Sequence, residues 1–551
     1  MADARSIATP AGGNPAADQN QHERNPWAVL AVLSAAVFML LLDTTIVNVA
    51  QVKIRQDLGA SLTQIQWVLD SYILTYAVLL LSFGRLGDVF GRRRMFVVGM
   101  SIFTAASALC GASAWIGDQI GVSGVNVLIV ARVLQGLGGA FMMPQSLSLI
   151  TVAFPPEKRG AALGIWGGIV ALGAIIGPVI GGLIVTDYAW EWIFLLNVPI
   201  GIAGVWATQR IVPESVDPLA SRKIDWGGIV FSGTGIFALV YASIEGNKEG
   251  WTSPLILGLF AAAAVLLTLF VLWERRSPDP MMKLELFKLR NFWVGNVIAL
   301  AVAFGMLGIF FPMTLFLQSV LDFSPIRAGL TMTPMSIMIM FAAPLSGRLS
   351  DRIGARWILV TGLTLMTVGI LLIIQQIDMQ TDWLALLPAL IVTGAGMGMT
   401  FAPMTAASMK EVPPRIAGSA SGIINTMRNV GQVLGIAVLG GVLQSRVGTH
   451  AGDRLAGDGL DPALQGRVVE LAEQSRFEEI VAILGPDQID RVLGQLRLAF
   501  ADGIQNTFFV GAMACLLSAL FALMIRNPAR AAVPAREHAE QSERQVVMAA
   551  D

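Results

Sequence analysis

The sequence predicts an all-α polytopic membrane protein, with two six-helix halves and two further helices inserted between them. Three observations predict this fold class: the composition, a series of long apolar runs, and the sorting of basic residues among the loops. Of 551 residues, 55% are hydrophobic and 14% are charged, whereas soluble domains carry about 25% charged residues. The apolar runs are about 20 residues long, which is enough for a helix to cross a bilayer.

Composition also argues against several classes of function. The net charge is −1, so overall charge does not favour a nucleic-acid partner. Cys110 and Cys515 lie in apolar runs, which predicts neither a disulfide framework nor a metal site. The three histidines fall in polar segments, so proton chemistry within the bilayer must use carboxylates. No GxxxxGK[ST] phosphate-loop motif is present, so we expect no ATP and no other cofactor.

Fourteen apolar runs are predicted as membrane spans. They are 27–50, 63–83, 95–115, 124–148, 160–186, 192–212, 226–246, 254–273, 292–317, 327–346, 356–375, 384–408, 416–443 and 502–525. The polar segment 1–26 is predicted to be a disordered tail, and the segment 527–551 is predicted to be a second, cytosolic tail. Since no cleavable signal is recognisable, the first span is expected to be an uncleaved anchor.

The loop GRLGDVFGRRR, residues 84–94, predicts the orientation of the chain. Short loops rich in Lys and Arg are retained in the cytosol. With this loop inside, the other basic pairs fall on the same side: Lys158 and Arg159, Arg222 and Lys223, Arg275 and Arg276, Arg348 and Arg352, and Lys410 and Arg415. Loops 116–123 and 376–383 on the opposite side contain no Lys or Arg. We therefore expect both termini in the cytosol, with the protein in the cytoplasmic (inner) membrane.

Internal repetition divides the chain into two halves. PPEKRGAALG (155–164) aligns with PPRIAGSASG (413–422) at an offset of 258, and the basic loop recurs as GRLSDRIGARW (347–357) at an offset of 263. A near-constant offset is typical of the parallel repeats of large transporters. The predicted organisation is an N-terminal half 27–212, a linker with two extra spans 213–273, and a C-terminal half 274–526.

Residues 444–501 are predicted to be a long extracellular loop between the last two spans. Apolar spacing within Ile480–Leu484 and within Ile489–Leu496 predicts two amphipathic helices there. A small solvated cap is the simpler interpretation, and a gate or a partner site is the alternative.

Three ionisable residues inside the predicted spans are candidates for function, because charge within a bilayer is costly. At 1.5 Å per residue, Asp43 lies about 24 Å from the inner side, while Asp70 and Arg132 lie about 10 and 12 Å from the outer side. All three fall in the outer half of a hydrocarbon core about 30 Å thick. This common level predicts a shared polar cavity. The alternative is that Asp43 caps neighbouring groups such as Thr44, and that Arg132 is only a packing counter-ion.

The fifth span and the second half supply further candidates. Gly173 and Gly177 form a small-xxx-small pair, which lets a neighbouring helix approach closely. Pro178 is expected to bend the span, and Gly182 continues the glycine pattern. In the second half, Gln318, Arg428 and Asn429 are polar residues at or within spans and are candidates to line a cavity.

These motifs together resemble the major facilitator superfamily, specifically its fourteen-helix drug–proton antiporter branch of the multidrug efflux type. The resemblance covers about residues 27–526. GRLGDVFGRRR resembles the signature of the loop between spans two and three. The resemblance implies a conformational switch at Gly84, Arg85, Asp88, Gly91 and Arg92, with a weaker copy at Asp351 and Arg352.

Three span signatures extend the resemblance. The span-one signature is resembled by LLDTTIVNVA (41–50), which contains Asp43. The span-two pattern is resembled by WVLDSYILT (67–75), which contains Asp70. The span-four signature is resembled by LIVARVLQGLGGA (128–140), which contains Arg132. The resemblance implies that these residues couple protons to the substrate. Residues 173–182 resemble the antiporter signature, which marks exporters. One departure is visible, because Gln51 and Val52 stand where the branch usually has Leu-Pro.

The sequence therefore predicts proton-coupled export of small amphipathic or cationic drug-like compounds by alternating access, with no enzymatic activity. The expected partners are a small-molecule substrate, protons and the lipid bilayer, and we expect a monomer. A dedicated exporter of one endogenous metabolite, lipid or antibiotic is the main alternative. The span-five signature disfavours an uptake symporter. A membrane enzyme or sensor would need a catalytic cluster or a soluble domain, and neither is visible.

Overall fold

The computed structural model describes residues 25–216, 223–323, 325–379, 381–456, 460–473 and 477–527. Long helices follow one another with short connections. They are α1 (Pro26–Asp57), α2 (Leu62–Phe90), α3 (Arg92–Gly111), α4 (Gly124–Ala153), α5 (Arg159–Asp187), α6 (Asn197–Ile211), α7 (Trp226–Glu249), α8 (Pro254–Glu274), α9 (Arg290–Leu315), α10 (Pro325–Ile353), α11 (Ala355–Gln375), α12 (Trp383–Lys410), α13 (Ala417–Leu455) and α14 (Pro486–Ala522). Shorter helices are Ser113–Ile120, Trp192–Leu195, Pro462–Glu473 and Phe477–Ile483.

Thirteen helices of the described residues are long and apolar enough to cross a membrane, and each lies at a predicted span. The chain is therefore a multi-pass membrane protein. The fifth predicted span coincides with α5, a helix of 29 residues that is not among the thirteen, so the fourteenth crossing stays a prediction. The predicted tails 1–26 and 527–551 lie almost wholly outside the described residues.

Local sequence signals explain where several helices begin and end. Ser61 and Gln64 form a capping box that starts α2, since each side chain accepts a hydrogen bond from the other residue's backbone N–H. Gly91 (φ 105°) and Gly354 (φ 90°) separate the two helices that flank each basic loop. Glycine is required there because a side chain would strain a positive φ. The two glycines are 263 residues apart, which is the offset of the repeat.

The two halves repeat the same pattern of helix packing. In the first half, α3 packs on α4, α2 on α4, α1 on α5 and α3 on α6. In the second half, α11 packs on α12, α10 on α12, α9 on α13 and α11 on α14. The contacts between the halves are also paired, since α5 packs on α10 and α13 packs on α2. The predicted duplication is therefore visible in the tertiary structure.

The two inserted helices, α7 and α8, pack on each other. α7 also packs on α2 and on α13, so it covers one of the two seams between the halves. The insertion thus lies against both halves while the repeat remains intact around it.

The segment 444–501 differs from the predicted loop. α13 continues to Leu455 and α14 begins already at Pro486, so the two helices extend beyond the predicted span ends at 443 and 502 by 12 and 16 residues. The first amphipathic stretch lies at the short helix Phe477–Ile483, but the second is the start of α14 rather than a separate helix. The reason is that these extensions are apolar on one face only. Val447 and Leu496 are buried in a single core cluster, and a search for continuous apolar runs misses one-sided helices.

Candidate functional site

Asp43 on α1 and Arg132 on α4 form an ion pair in the interior of the first half. Their side chains are 0% and 1% exposed, and Arg132 Nη1 lies 2.6 Å from Asp43 Oδ2. The other carboxylate oxygen of Asp43 accepts hydrogen bonds from Gln135 Nε2 at 3.0 Å and from Asn197 Nδ2 at 2.8 Å. Side chains of α4 and α6 thus converge on one carboxylate of α1.

The guanidinium of Arg132 is held on several sides. Its Nη1 also donates to Gln135 Oε1 at 2.8 Å, and its Nε donates to the backbone carbonyl of Val68 on α2 at 3.1 Å. The ring of Tyr72 lies 4.3 Å from the guanidinium carbon, at a distance typical of a cation–π contact. Donors therefore face both carboxylate oxygens of Asp43.

The contacts around Asp43 do not support local capping. The hydroxyls of Thr44 and Thr45 donate to the carbonyls of Leu40 and Leu41 on their own helix. Asp70 is half-buried on α2, two residues after Val68. The structure therefore brings Asp43 and Arg132, two of the three predicted charges, into direct contact.

Sequence reasoning missed the amides that complete the cluster. Gln135 and Asn197 both bond to Asp43, and both also bond to the hydroxyl of Ser107, at 2.7 and 3.4 Å. Gln135 follows Arg132 by three residues, so helical periodicity places both on one face of α4. That spacing was the available signal for Gln135. Nothing comparable singles out Asn197.

The predicted glycine pattern of α5 brings this helix close to α1. The carbonyl of Gly173 accepts a hydrogen bond from the Thr45 hydroxyl at 3.3 Å. A Cβ at Gly177 would lie 2.8 Å from Cβ of Thr45, so only glycine fits. A Cβ at Gly182 would meet nothing within 4 Å. The side chain of Pro178 lies outside the described residues.

A second polar site joins the two halves at the end of the bundle that carries the basic loops, which we call the basic end. Asp88 on α2 accepts hydrogen bonds from the backbone N–H groups of Gly418 and Ser419, at 2.8 and 2.6 Å, and from the Ser419 hydroxyl at 2.8 Å. These N–H groups belong to the first turn of α13, where a negative charge is favourable. Arg92 lies 2.6 Å from Asp88 and also donates to the carbonyls of Pro414 and Arg415.

The weaker basic loop makes the corresponding contact. Asp351 on α10 accepts hydrogen bonds from the N–H groups of Gly160 and Ala161 at the start of α5, each at 2.9 Å. Asp88 is fully buried, whereas Asp351 is half-buried and Arg352 is exposed. Each half therefore inserts a carboxylate into a helix N-terminus of the other half.

Close backbone approach accompanies these hydrogen bonds. A Cβ at Gly84 would lie 2.9 Å from both the carbonyl oxygen of Gly418 and Cα of Gly422, so α2 and α13 cross without an intervening side chain. Arg85, in contrast, lines a small cavity with Lys223 and Asp225.

The remaining candidates lie in the second half. Gln318 is half-buried in the turn that follows α9, and Arg428 and Asn429 are half-buried on α13. Asn429 bonds to the carbonyl of Asn425 on its own helix.

Comparisons with known proteins agree with this architecture. The family model of the Major Facilitator Superfamily matches residues 33–436. The tetracenomycin C resistance and export protein of Streptomyces glaucescens is 34% identical over 506 residues, which cover 91% of this chain and 92% of that protein. The multidrug resistance protein Stp of Mycobacterium tuberculosis (strain CDC 1551) is 36% identical over 459 residues, covering 83% and 82%.

A solved structure shares the fold. The crystal structure of the human organic anion transporter MFSD10 (TETRAN) aligns with a TM-score of 0.59 and 13% identity, covering 91% of this chain and 100% of that one. The family model and the relatives, which match along most of the chain, agree with the paired halves of the structure. This chain belongs to the Major Facilitator Superfamily.

Proposed function

We propose that this protein exports small amphipathic, drug-like compounds across the cytoplasmic membrane in exchange for inward-moving protons. The observation that carries the proposal is the buried pair of Asp43 and Arg132, because ionisable groups inside a membrane bundle mark ion and substrate pathways. The relatives support export, since one is named as an export protein and another as a multidrug resistance protein.

Proton binding at Asp43 competes with Arg132. A proton that reaches the carboxylate from outside neutralises it, and the guanidinium then loses its main ionic partner. Because Asp43, Arg132 and Asn197 lie on three different helices, opening the pair loosens α1, α4 and α6 relative to one another. The charge state of one carboxylate thereby biases the arrangement of the first half.

Alternating access uses the contacts at the basic end. With the basic loops in the cytosol, the hydrogen bonds of Asp88 and Asp351 hold the cytosolic side closed. Substrate enters from the cytosol when these contacts part, and it leaves on the other side when they form again. Proton release to the cytosol allows Arg132 to pair again with Asp43 and resets the cycle.

Dye efflux tests the energy source. Cells that express the protein are loaded with ethidium, rhodamine 123 or carboxyfluorescein, and efflux is followed with and without a protonophore while ATP is maintained. We expect efflux of at least one dye, and the protonophore should slow it about tenfold or more. Efflux that continues at full rate after the proton gradient has collapsed would contradict proton coupling.

The close crossing of α2 and α13 at Gly84 allows the proposed transport cycle to be tested by adding a methyl group there. In the Gly84→Ala variant, the new methyl group would lie 2.9 Å from backbone atoms of α13, and overpacking of this kind costs about 1–3 kcal/mol. We expect the efflux rate to fall about tenfold at equal expression, since 1.4 kcal/mol corresponds to a factor of about ten.

Gly167→Ala is the matched control for that variant. Gly167 lies on α5, and a Cβ there would meet nothing within 4 Å, so efflux should stay at the wild-type rate. Equal losses in the two variants would argue that the alanine methyl, rather than the crossing, impairs the protein.

A dedicated exporter of one compound is the second candidate. It is favoured by the relative from Streptomyces glaucescens, whose name specifies a single antibiotic. If well-expressed wild-type protein moves none of the dyes, the dedicated exporter becomes the better hypothesis.

A further inference from the structure

A second arginine lies deep within the helical bundle, in the half that does not contain Asp43. Arg428 is on α13, which begins at Ala417, so it lies about 16 Å along the helix at 1.5 Å per residue. This depth is near the middle of a hydrocarbon core about 30 Å thick.

Arg428 has few polar contacts. Its Nη1 lies 3.5 Å from Oδ1 of Asn425, and its guanidinium carbon lies 5.1 Å from the centre of the Phe401 ring. Its Nε is buried and makes no hydrogen bond. Within the part of the chain that the structure describes, no carboxylate forms an ion pair with it.

The contacts of Arg428 differ from those of Arg132. Arg132 is buried against a carboxylate, an amide and a backbone carbonyl, whereas the partners of Arg428 are one distant amide oxygen and an aromatic ring. An arginine side chain stays protonated in proteins, and a charge inside a membrane normally pairs with another group. Among the described residues, Arg428 therefore presents a cation that no carboxylate neutralises.

The residues near Arg428 lie where the two halves meet. Tyr76 on α2 lies near Arg428, and its ring stacks on Tyr72 with centroids 6.1 Å apart and planes within 6°. Tyr72 in turn covers Arg132. Two stacked tyrosines thus connect the Asp43–Arg132 pair of the first half with Arg428 of the second.

Arg428 and Tyr76 lie away from the closed basic end of the bundle. Arg428 follows Gly422 by six residues, and Tyr76 precedes Gly84 by eight, which corresponds to about 9 and 12 Å. Both residues therefore lie on the same side of the crossing between α2 and α13. Arg428 is half-buried, so part of its side chain remains accessible.

We propose that Arg428 binds an acidic group of an aromatic substrate, in the space between α2, α12 and α13. A guanidinium matches the two oxygens of a carboxylate or sulfonate, and the rings of Tyr76 and Phe401 offer apolar faces for the body of the compound. This assignment rests on the proposed export function and narrows it to amphipathic organic anions. The acidic group of the bound substrate would then neutralise the positive charge of Arg428.

The test is equilibrium binding of two dyes that share a xanthene ring and differ in charge. Full-length protein in lipid nanodiscs is titrated against carboxyfluorescein, an anion, and rhodamine 123, a cation, with fluorescence anisotropy as the readout. We expect Arg428→Gln to weaken carboxyfluorescein binding by about tenfold to a hundredfold, the range for a lost hydrogen-bonded charge. Rhodamine 123 binding should change less than about twofold, since the cation makes no such bond. Arg428→Lys should lie between wild type and Arg428→Gln for the anion.

Arg467→Gln serves as the charge-matched control, because Arg467 is 54% exposed and pairs with Glu470 at the surface. It should leave both affinities unchanged, and unfolding temperatures should show that each variant is folded. Unchanged carboxyfluorescein affinity in Arg428→Gln, equal losses for both dyes, or no wild-type binding of carboxyfluorescein would overturn the assignment. Binding needs no proton gradient, so its failure is distinguishable from a failure of proton coupling in the efflux experiment.

Discussion

The Asp43→Asn variant is expected to lose proton-driven efflux by about a hundredfold or more. Asparagine cannot take up a proton, and its amide would turn a donor toward groups that themselves donate, namely Arg132, Gln135 or Asn197. Removing one partner of a buried ion pair costs about 3–5 kcal/mol because the other charge is left uncompensated. The measurement is the initial rate of dye efflux, with and without a protonophore, at equal expression.

Two further variants separate chemistry from folding. Asp57→Asn makes the same substitution on the same helix, where Asp57 pairs with Lys53 at the surface, and it should retain wild-type efflux. Asp43→Asn combined with Arg132→Gln replaces the buried pair with neutral groups, so thermal stability should recover while proton-driven efflux should not. Protonophore-sensitive efflux that persists in Asp43→Asn would show that another group carries the proton.

Replacing Asp88 with asparagine is expected to open the basic end. The carboxylate accepts hydrogen bonds from Gly418, Ser419 and Arg92, and asparagine can satisfy only part of this set. Arg92 is 1% exposed, so it would be left as a buried cation without its partner. Hydrogen bonds to charged groups contribute about 1.5–3 kcal/mol each, so we expect the closed population to fall by at least about tenfold.

Distances between spin labels at Phe90 and Ile353 would measure this opening. Both residues are exposed, and they end α2 and α10 at the basic end. The labels require a background without Cys110 and Cys515, which are free and buried. Asp88→Asn should add a population at longer distance.

Asp351→Asn is the comparison within the same molecule. Asp351 accepts two backbone hydrogen bonds and is half-buried. Loss of its carboxylate should therefore lengthen the distance between the spin labels, but by less than Asp88→Asn does. A larger shift from Asp351 than from Asp88, or no shift from either, would contradict the assignment of these contacts to closure.

Much of the fold was predictable because its signals are local. The length of an apolar run and the charge of a loop can be judged without knowing any neighbour in space. The capping box of Ser61 and Gln64 and the glycines at 91 and 354 are likewise local signals. The extensions of α13 and α14 were missed because they are stabilised by one-sided burial among other helices, which no apolar run records.

The sequence by itself determined the class of the protein, its repeat, and which charged residues lie inside the spans. Only the tertiary structure decided which of those charges meet. Asp43 and Arg132 are 89 residues apart, and Asp88 and Gly418 are 330 apart. Their contact depends on the rotation and crossing of packed helices rather than on spacing within either. The same holds for Arg428, which resembles Arg132 in sequence as a lone charge in an apolar helix. Packing supplies a carboxylate to Arg132 and leaves the buried Nε of Arg428 without a hydrogen bond.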